Sequence, residues 1–170
     1  DELTLMAIEK CGFYIDAALR STEYNELMGI EGRIAKLFFS AYFQEMGWKG
    51  RKALIKSDYI NATLDIGYTY LFNFIECFVR MYGFDIYVGI YHRLWFKRKS
   101  LICDLMEPFR CVIERTIRTA INRKHISEMD YEIRKGEYYL RNEKRTEYSK
   151  LFFDVLVSYK MVIFKYVQDL

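Results

Sequence analysis

Apolar residues recur every three to four positions through most of the chain, and this period predicts a helical protein. Residues Leu3 to Leu19 read as a first helix. Ser21 can cap a second helix running to about Met46, whose stripe of Leu27, Ile30, Ile34, Leu37, Phe38 and Tyr42 has the helical period. Gly47 to Lys56 is a basic loop with two glycines. A third helix is predicted from about Ser57 to Tyr82, with Leu64, Tyr68, Leu71, Ile75, Phe78 and Tyr82 facing inward and Gly83 as its stop. Phe84 to His92 is a short apolar connection. A fourth helix is predicted from Ser100, a candidate N-cap, to about Arg123. Pro108 removes a backbone donor inside it, which predicts a kink or a short first turn. Glu128 to Leu140 is ambiguous, and its Gly136-Glu-Tyr-Tyr-Leu140 end fits a short strand or a turn. Glu143 to Gln168 reads as a last helix. The pattern shows no repeat, no low-complexity tract and no second-domain boundary, so residues 1–170 read as one mainly all-α domain.

Composition sharpens this picture. A chain of 170 residues is long enough for a substantial core. With 15 Tyr, 13 Phe and a single Pro it is an ordered protein rather than a disordered one. The nearest approach to a membrane span, Leu151 to Val167, is interrupted by Asp154, Lys160 and Lys165 and reads as a core helix. There is no secretory signal. Cys11, Cys77, Cys103 and Cys111 form no C-x-x-C pair and are expected to be reduced, buried thiols in a cytoplasmic protein. The net charge of +3 does not by itself imply nucleic acid. Its distribution says more. Arg93, Lys97, Arg98 and Lys99 follow His92, and Arg110, Arg115, Arg118, Arg123 and Lys124 follow a pair of carboxylates. Basic groups around an acidic centre suit a phosphodiester-processing site, although composition alone favours solvated loop and helix charges.

The candidate chemistry lies in Ser100-Leu-Ile-Cys-Asp-Leu-Met-Glu-Pro-Phe-Arg110. At about 100° per residue, Asp104 and Glu107 lie roughly 60° apart on one helical face. Leu105, Phe109, Val112, Thr116 and Ile117 mark a nearly opposite face. His92, one of only two histidines, is a short loop away. Carboxylates with a neutral imidazole are a ligand set suited to Mn²⁺ or Mg²⁺. Glu31, in Gly29-Ile-Glu-Gly-Arg33, edges an apolar stripe, and a glutamate there must be solvated, paired or metal-bound. Each signal alone has a plain structural reading. Glu31 fits a salt bridge beside two incidental glycines, His92 a satisfied core or loop histidine, and Asp104 and Glu107 an acidic helix start with a Glu107–Arg110 pair. His125 reads as a surface residue. No Glu-x-x-His pair, P-loop, G-x-S-x-G or zinc-spaced cysteine set is present.

Four segments together resemble a known family. They are Leu27-Met-Gly-Ile-Glu-Gly-Arg33, Asn61-Ala-Thr-Leu-Asp-Ile-Gly-Tyr68, Gly83-Phe-Asp-Ile-Tyr-Val-Gly-Ile-Tyr-His92 and Ser100 to Arg110. In order and spacing the set resembles the catalytic C-terminal domain of Cas1, the CRISPR-associated endonuclease/integrase of spacer acquisition. The resemblance implies a metal held by Glu31, His92 and Glu107, with Asp104 as a supporting acid and Asn61 and Tyr68 shaping the site. It also implies an enzyme, a metal-dependent DNA phosphodiester transesterase or endonuclease. Its partners would be DNA (a protospacer and a CRISPR repeat), the small Cas2 (Cas two) subunit and a second copy of the full-length protein, with no membrane. Lys97, Arg98, Lys99, Arg115 and Arg118 are the candidate DNA-binding residues. The family's N-terminal β-rich domain has no counterpart here, so the chain is expected to be an excised domain, a split protein or the tail of a fusion. The competing expectation is a non-catalytic helical module that binds DNA or a partner protein.

Overall fold

Two helices of equal length come first, α1 (Glu2–Arg20) and α2 (Tyr24–Tyr42), joined by residues 21–23. The structure, a computed structural model, describes residues 2–170, and side chains from residue 5 onward. The backbone packs as two compact units, residues 1–52 and 53–170. In the first unit α1 and α2 pack as a helical hairpin. Ser21 does not cap α2. Its hydroxyl donates to Glu26 Oε2 at 2.6 Å, and the cap position falls to Glu23 without a side-chain bond. The helix also stops at Tyr42, before a single 3₁₀ turn, Gln44–Met46. Trp48 folds back onto Phe39 and Phe43, with ring centroids 5.6 and 5.0 Å apart. Edge-to-face rings at these distances contribute beyond the area they bury.

The second unit is built on α3 (Tyr59–Met81). Its cap is Asp58, whose carboxylate accepts both the backbone N–H and the side-chain amide of Asn61, each at 2.7 Å. Asn61 is therefore a fully buried part of a helix start. Leu64, Tyr68, Leu71 and Ile75 are buried, as the period predicts, but at the end of the helix Val79 is the fully buried residue, and Phe78 and Tyr82 are only half-buried. Gly67 sits where α3 meets its neighbours. A Cβ there would stand 2.5 Å from Ile113 Cγ2 and 2.9 Å from Phe152 Cε1, so only glycine allows the approach.

The fourth helix is two. α4 (Ser100–Met106) ends in a 3₁₀ turn at Glu107–Phe109, and α5 (Arg110–Asn122) follows. Pro108 lacks the N–H and its ring would clash with the carbonyl four residues back, so the turn tightens there. Ser100 is not the cap. It is the first helical residue, buried, and its hydroxyl donates to the Arg93 carbonyl. Leu105, Phe109, Val112 and Ile117 are buried as expected, and Thr116 is half-buried. The ambiguous segment is a hairpin, β1 (Tyr131–Arg134) paired antiparallel with β2 (Glu137–Leu140). Lys135 and Gly136 both have positive φ, as a two-residue turn between right-twisted strands requires.

The last helix also breaks, into α6 (Arg145–Ser158) and α7 (Lys160–Gln168). The Ser158 hydroxyl donates to the Val155 carbonyl at 2.6 Å, a local bond that competes with helix continuation. Phe152, Leu156, Ile163 and Val167 face the core, while Phe153, Met161 and Val162 are exposed. Among the described residues no helix is long and apolar enough to cross a membrane. The cysteines depart from expectation. All four are unpaired, but Cys77 and Cys111 are exposed and Cys11 and Cys103 only half-buried.

Candidate functional site

The segment 84–92 has no helical or strand hydrogen bonds of its own, so its backbone donors need other partners. Asp104, projecting from α4, supplies them. Its Oδ2 accepts the N–H groups of Ile90 at 2.6 Å and Tyr91 at 3.0 Å, and its Oδ1 accepts the N–H of His92 at 3.0 Å. The same Oδ1 lies 2.5 Å from His92 Nδ1. One carboxylate thus closes a loop onto a helix and fixes an imidazole. The side chain of Asp104 is only 7% exposed. Burial pushes its carboxyl pKa up, but the Tyr91, His92 and Ile90 donors outweigh burial and hold it below the usual carboxylate range.

Gly89 makes this clamp possible. A Cβ at residue 89 would lie 2.6 Å from the His92 carbonyl oxygen, 2.7 Å from Asp104 Oδ2 and 2.8 Å from Ser100 Cβ. The glycine of the G-x-x-H segment is thus required by the close approach of loop and helix. An ionised carboxylate only accepts, so the Nδ1–H of His92 is the one that meets Asp104, and Nε2 is the ring nitrogen on the far side from it. A carboxylate on the other ring nitrogen is the usual way a metal-binding histidine is oriented. Among the described residues Nε2 has no hydrogen-bond partner.

Glu107 stands in the 3₁₀ turn after α4 and is partly exposed. Arg110 Nη1 donates to both of its carboxylate oxygens, at 3.0 and 2.9 Å. The Arg110 guanidinium in turn lies over the Tyr68 ring, 4.6 Å from its centre. The Tyr68 hydroxyl donates to Glu114 Oε1 at 2.6 Å. Burial, then the Glu114 carboxylate, pushes the Tyr68 pKa well above its ordinary value, so it is a neutral donor at working pH. A chain of contacts from Glu114 through Tyr68 and Arg110 ends on Glu107 and fixes its position. Glu114 was not legible as part of it. The available signal was a glutamate inside the buried run Val112-Ile113-Glu114, four residues after Arg110.

Glu31 is exposed on α2 of the first unit, whereas His92, Asp104 and Glu107 belong to the second. A Cβ at Gly29 or Gly32 would meet nothing within 4 Å, so within the described chain neither glycine serves a close approach. Among the described residues no group of three or more His, Cys, Asp or Glu stands ready to hold a metal ion. Of the basic candidates, Lys97, Arg98 and Arg115 are exposed. Lys99 is committed: its ammonium donates to both Glu76 oxygens at 2.9 and 2.7 Å, and Arg80 binds the same carboxylate. His125 is exposed, as expected.

A family profile described as CRISPR associated protein Cas1 matches residues 2–153. Among curated relatives, a CRISPR-associated endonuclease Cas1 of Thermus thermophilus is 32% identical over 131 residues, which is 74% of this chain and 40% of that protein. The chain spans half or less of the length of the first curated relatives it matches. Among solved structures, a Cas1 protein from Thermotoga maritima superposes with a TM-score of 0.87 at 20% identity, over 94% of this chain and 55% of that one. A chain of a partial Cas6-RT-Cas1–Cas2 complex superposes with a TM-score of 0.83 at 23% identity, over 97% of this chain and 53% of that one. At these identities the structural likeness is one of fold.

Proposed function

We propose that this chain, which belongs to the CRISPR-associated Cas1 family, is the metal-dependent catalytic part of a spacer-acquisition integrase. The observation that carries the reading is the His92–Asp104 pair, which engages Nδ1 and leaves Nε2 as the ring nitrogen without a hydrogen bond among the described residues. The donor set fits a divalent cation. An oriented neutral imidazole and carboxylates suit Mn²⁺ or Mg²⁺. His92 Nε2 and Glu107 would hold the ion, with Glu31 as the third ligand that the family motif implies. When bound, the ion supplies Lewis acidity at the phosphodiester and offsets charge that develops there.

The rest is the work of this chain. Asp104 accepts from Nδ1, so Nε2 is the ring nitrogen of His92 left to act as a ligand. Arg110 holds Glu107 by both oxygens and prevents it from turning away. The captured DNA fragment brings its terminal 3′-hydroxyl to a phosphodiester at the repeat boundary. The new bond joins that 3′-oxygen to phosphorus, the bond from phosphorus to the old 3′-oxygen breaks, and the attacking hydroxyl's proton is released to solvent while the leaving 3′-oxygen takes one up to become a hydroxyl. Water in place of the 3′-hydroxyl would make the same site an endonuclease. DNA (protospacer and repeat), Cas2 and a second full-length copy are the partners this reading requires.

The test uses the full-length protein assembled with its small partner subunit, a repeat-bearing plasmid and a short DNA fragment. Joined product is expected in Mn²⁺ and not in EDTA, and a fragment ending in a dideoxynucleotide is expected not to join. Product formed equally well from the dideoxy fragment would refute transesterification.

DNA is expected to be held through cations flanking the site. The exposed Lys97, Arg98 and Arg115 are the principal proposed contacts, with the half-buried Arg118 beside them and Lys99 contributing less because Glu76 already neutralises it. Replacing Lys97, Arg98 and Arg115 by glutamine should lower the log–log salt slope of duplex binding by roughly 0.9 per lost phosphate contact. A slope that does not change would assign these charges to a solvated face.

A further inference from the structure

A second polar cleft lies away from the carboxylates, between α3, the hairpin and α6, with a volume near 310 Å³. That is the size of a small-ligand pocket. Ala62, Ile66 and Tyr70 of α3 line it. Ile66 and Tyr68 are two positions apart, about 200° around the helix, so the cleft is on the face opposite the Tyr68–Arg110–Glu107 chain. We propose that this cleft binds a nucleoside phosphate.

The charge balance asks for an anion. Lys56, Arg134 and Arg145 line the cleft. Arg134 is neutralised by Glu132. Lys56 Nζ lies 4.3 Å from the centre of the Tyr139 ring and meets no carboxylate. Arg145 makes no hydrogen bond or ion pair among the described residues. Two cations thus converge without a counter-charge, and Arg145 offers the planar donor fork that fits phosphate.

The rings ask for a flat partner. The hydroxyls of Tyr70 and Tyr139 are already engaged, by Ser149 at 2.5 Å and by Glu137 at 2.6 Å. Tyr139 already carries the Lys56 ammonium at 4.3 Å and the Arg134 guanidinium at 5.9 Å from its ring centre, so Tyr70, beside the apolar floor of Ala62 and Ile66, is the ring a base can stack on while the neighbouring cations reach its phosphate. The wall is also preorganised. The Tyr138 N–H donates to the Lys56 carbonyl at 2.9 Å, which ties the basic loop ending at Lys56 to β2. The 53–170 unit carries every group involved, and the inference does not depend on the catalytic reading.

The test is a titration of the protein in EDTA with dTMP, thymidine, inorganic phosphate and a 5′-phosphorylated oligo-dT, followed by backbone amide shifts of residues 56 and 138–140. dTMP is expected to shift these amides, with thymidine and phosphate each binding at least about tenfold more weakly, since each loses one half of the recognition. Lys56→Gln and Arg145→Gln should each weaken dTMP about tenfold without changing the melting temperature or thymidine binding. The oligonucleotide arm identifies the source: tighter binding than dTMP points to a DNA strand, equal binding to a free or terminal nucleotide. Phosphate binding as tightly as dTMP, an acidic peptide displacing dTMP from these amides, or unchanged affinity in the double variant would overturn the proposal. His92→Ala should bind dTMP like the parent, so failure here and failure of the integrase reading are separable.

Discussion

His92→Ala is expected to abolish DNA strand joining in the full assembly while leaving the protein folded. His92 is partly exposed, and its side chain makes a single bond, to Asp104. Losing that bond costs about 1 kcal/mol, which corresponds to a fall of only about 2–4 °C in melting temperature for a chain of this size. The chemical loss is far larger. Removing an outer-shell partner of a metal site costs roughly 10–100-fold, and removing the ligand itself should exceed that. His92→Gln separates the roles, since it keeps a polar group at residue 92 but offers no imidazole nitrogen. Both variants should be inactive with Mn²⁺ at near-parental melting temperature. Full joining activity in His92→Gln would remove His92 from the ligand set.

The helical period is a local property, so it was legible. Leu64, Leu71 and Ile75 were placed correctly on the buried face of α3 because a periodic stripe needs no knowledge of its partner. The Pro108 break was legible for the same reason: a missing donor acts on its own helix. The break at Tyr159 was not, because a serine hydroxyl bonding back to Val155 depends on a rotamer that sequence does not display. Caps failed similarly. Ser21 and Ser100 have the right chemistry, but Glu26 and the Arg93 carbonyl bind their hydroxyls first. In the site, residue identity was easier to read than role. His92, Asp104 and Glu107 stood out by type and spacing. That Asp104 serves the loop backbone could not be inferred, since the loop's unpaired donors become visible only once its path is known. Glu31 is the limiting case: its helix-face neighbours allow several outcomes, and only the family motif proposes it as a ligand.

Asp104→Ala is expected to damage both stability and activity, more than its reading as a supporting acid implies. Three backbone N–H groups and one imidazole converge on this carboxylate. Alanine removes every acceptor at once. Leaving buried donors unsatisfied costs about 1–3 kcal/mol each, although solvent can reach the N–H of Ile90, so a total of about 2–4 kcal/mol is expected. That is a fall of roughly 5–15 °C in melting temperature. The imidazole then loses its tautomer lock, and joining activity should fall about 10–100-fold even at temperatures where the protein stays folded. Asp104→Asn distinguishes the two effects. The amide oxygen can still accept backbone N–H bonds, so stability should recover in part, while the charge that holds the proton on Nδ1 is gone. The parent protein should show the matching pH dependence. The Asp104 pKa is lower in the folded chain than in the unfolded one, so its contribution is complete above the unfolded carboxylate range and is lost as pH falls through the lower folded value. In Asp104→Asn that part of the acid destabilisation should be absent. Melting curves for both variants between neutral and acidic pH measure it, and an Asp104→Ala protein as stable as the parent would show that the clamp does not hold the loop.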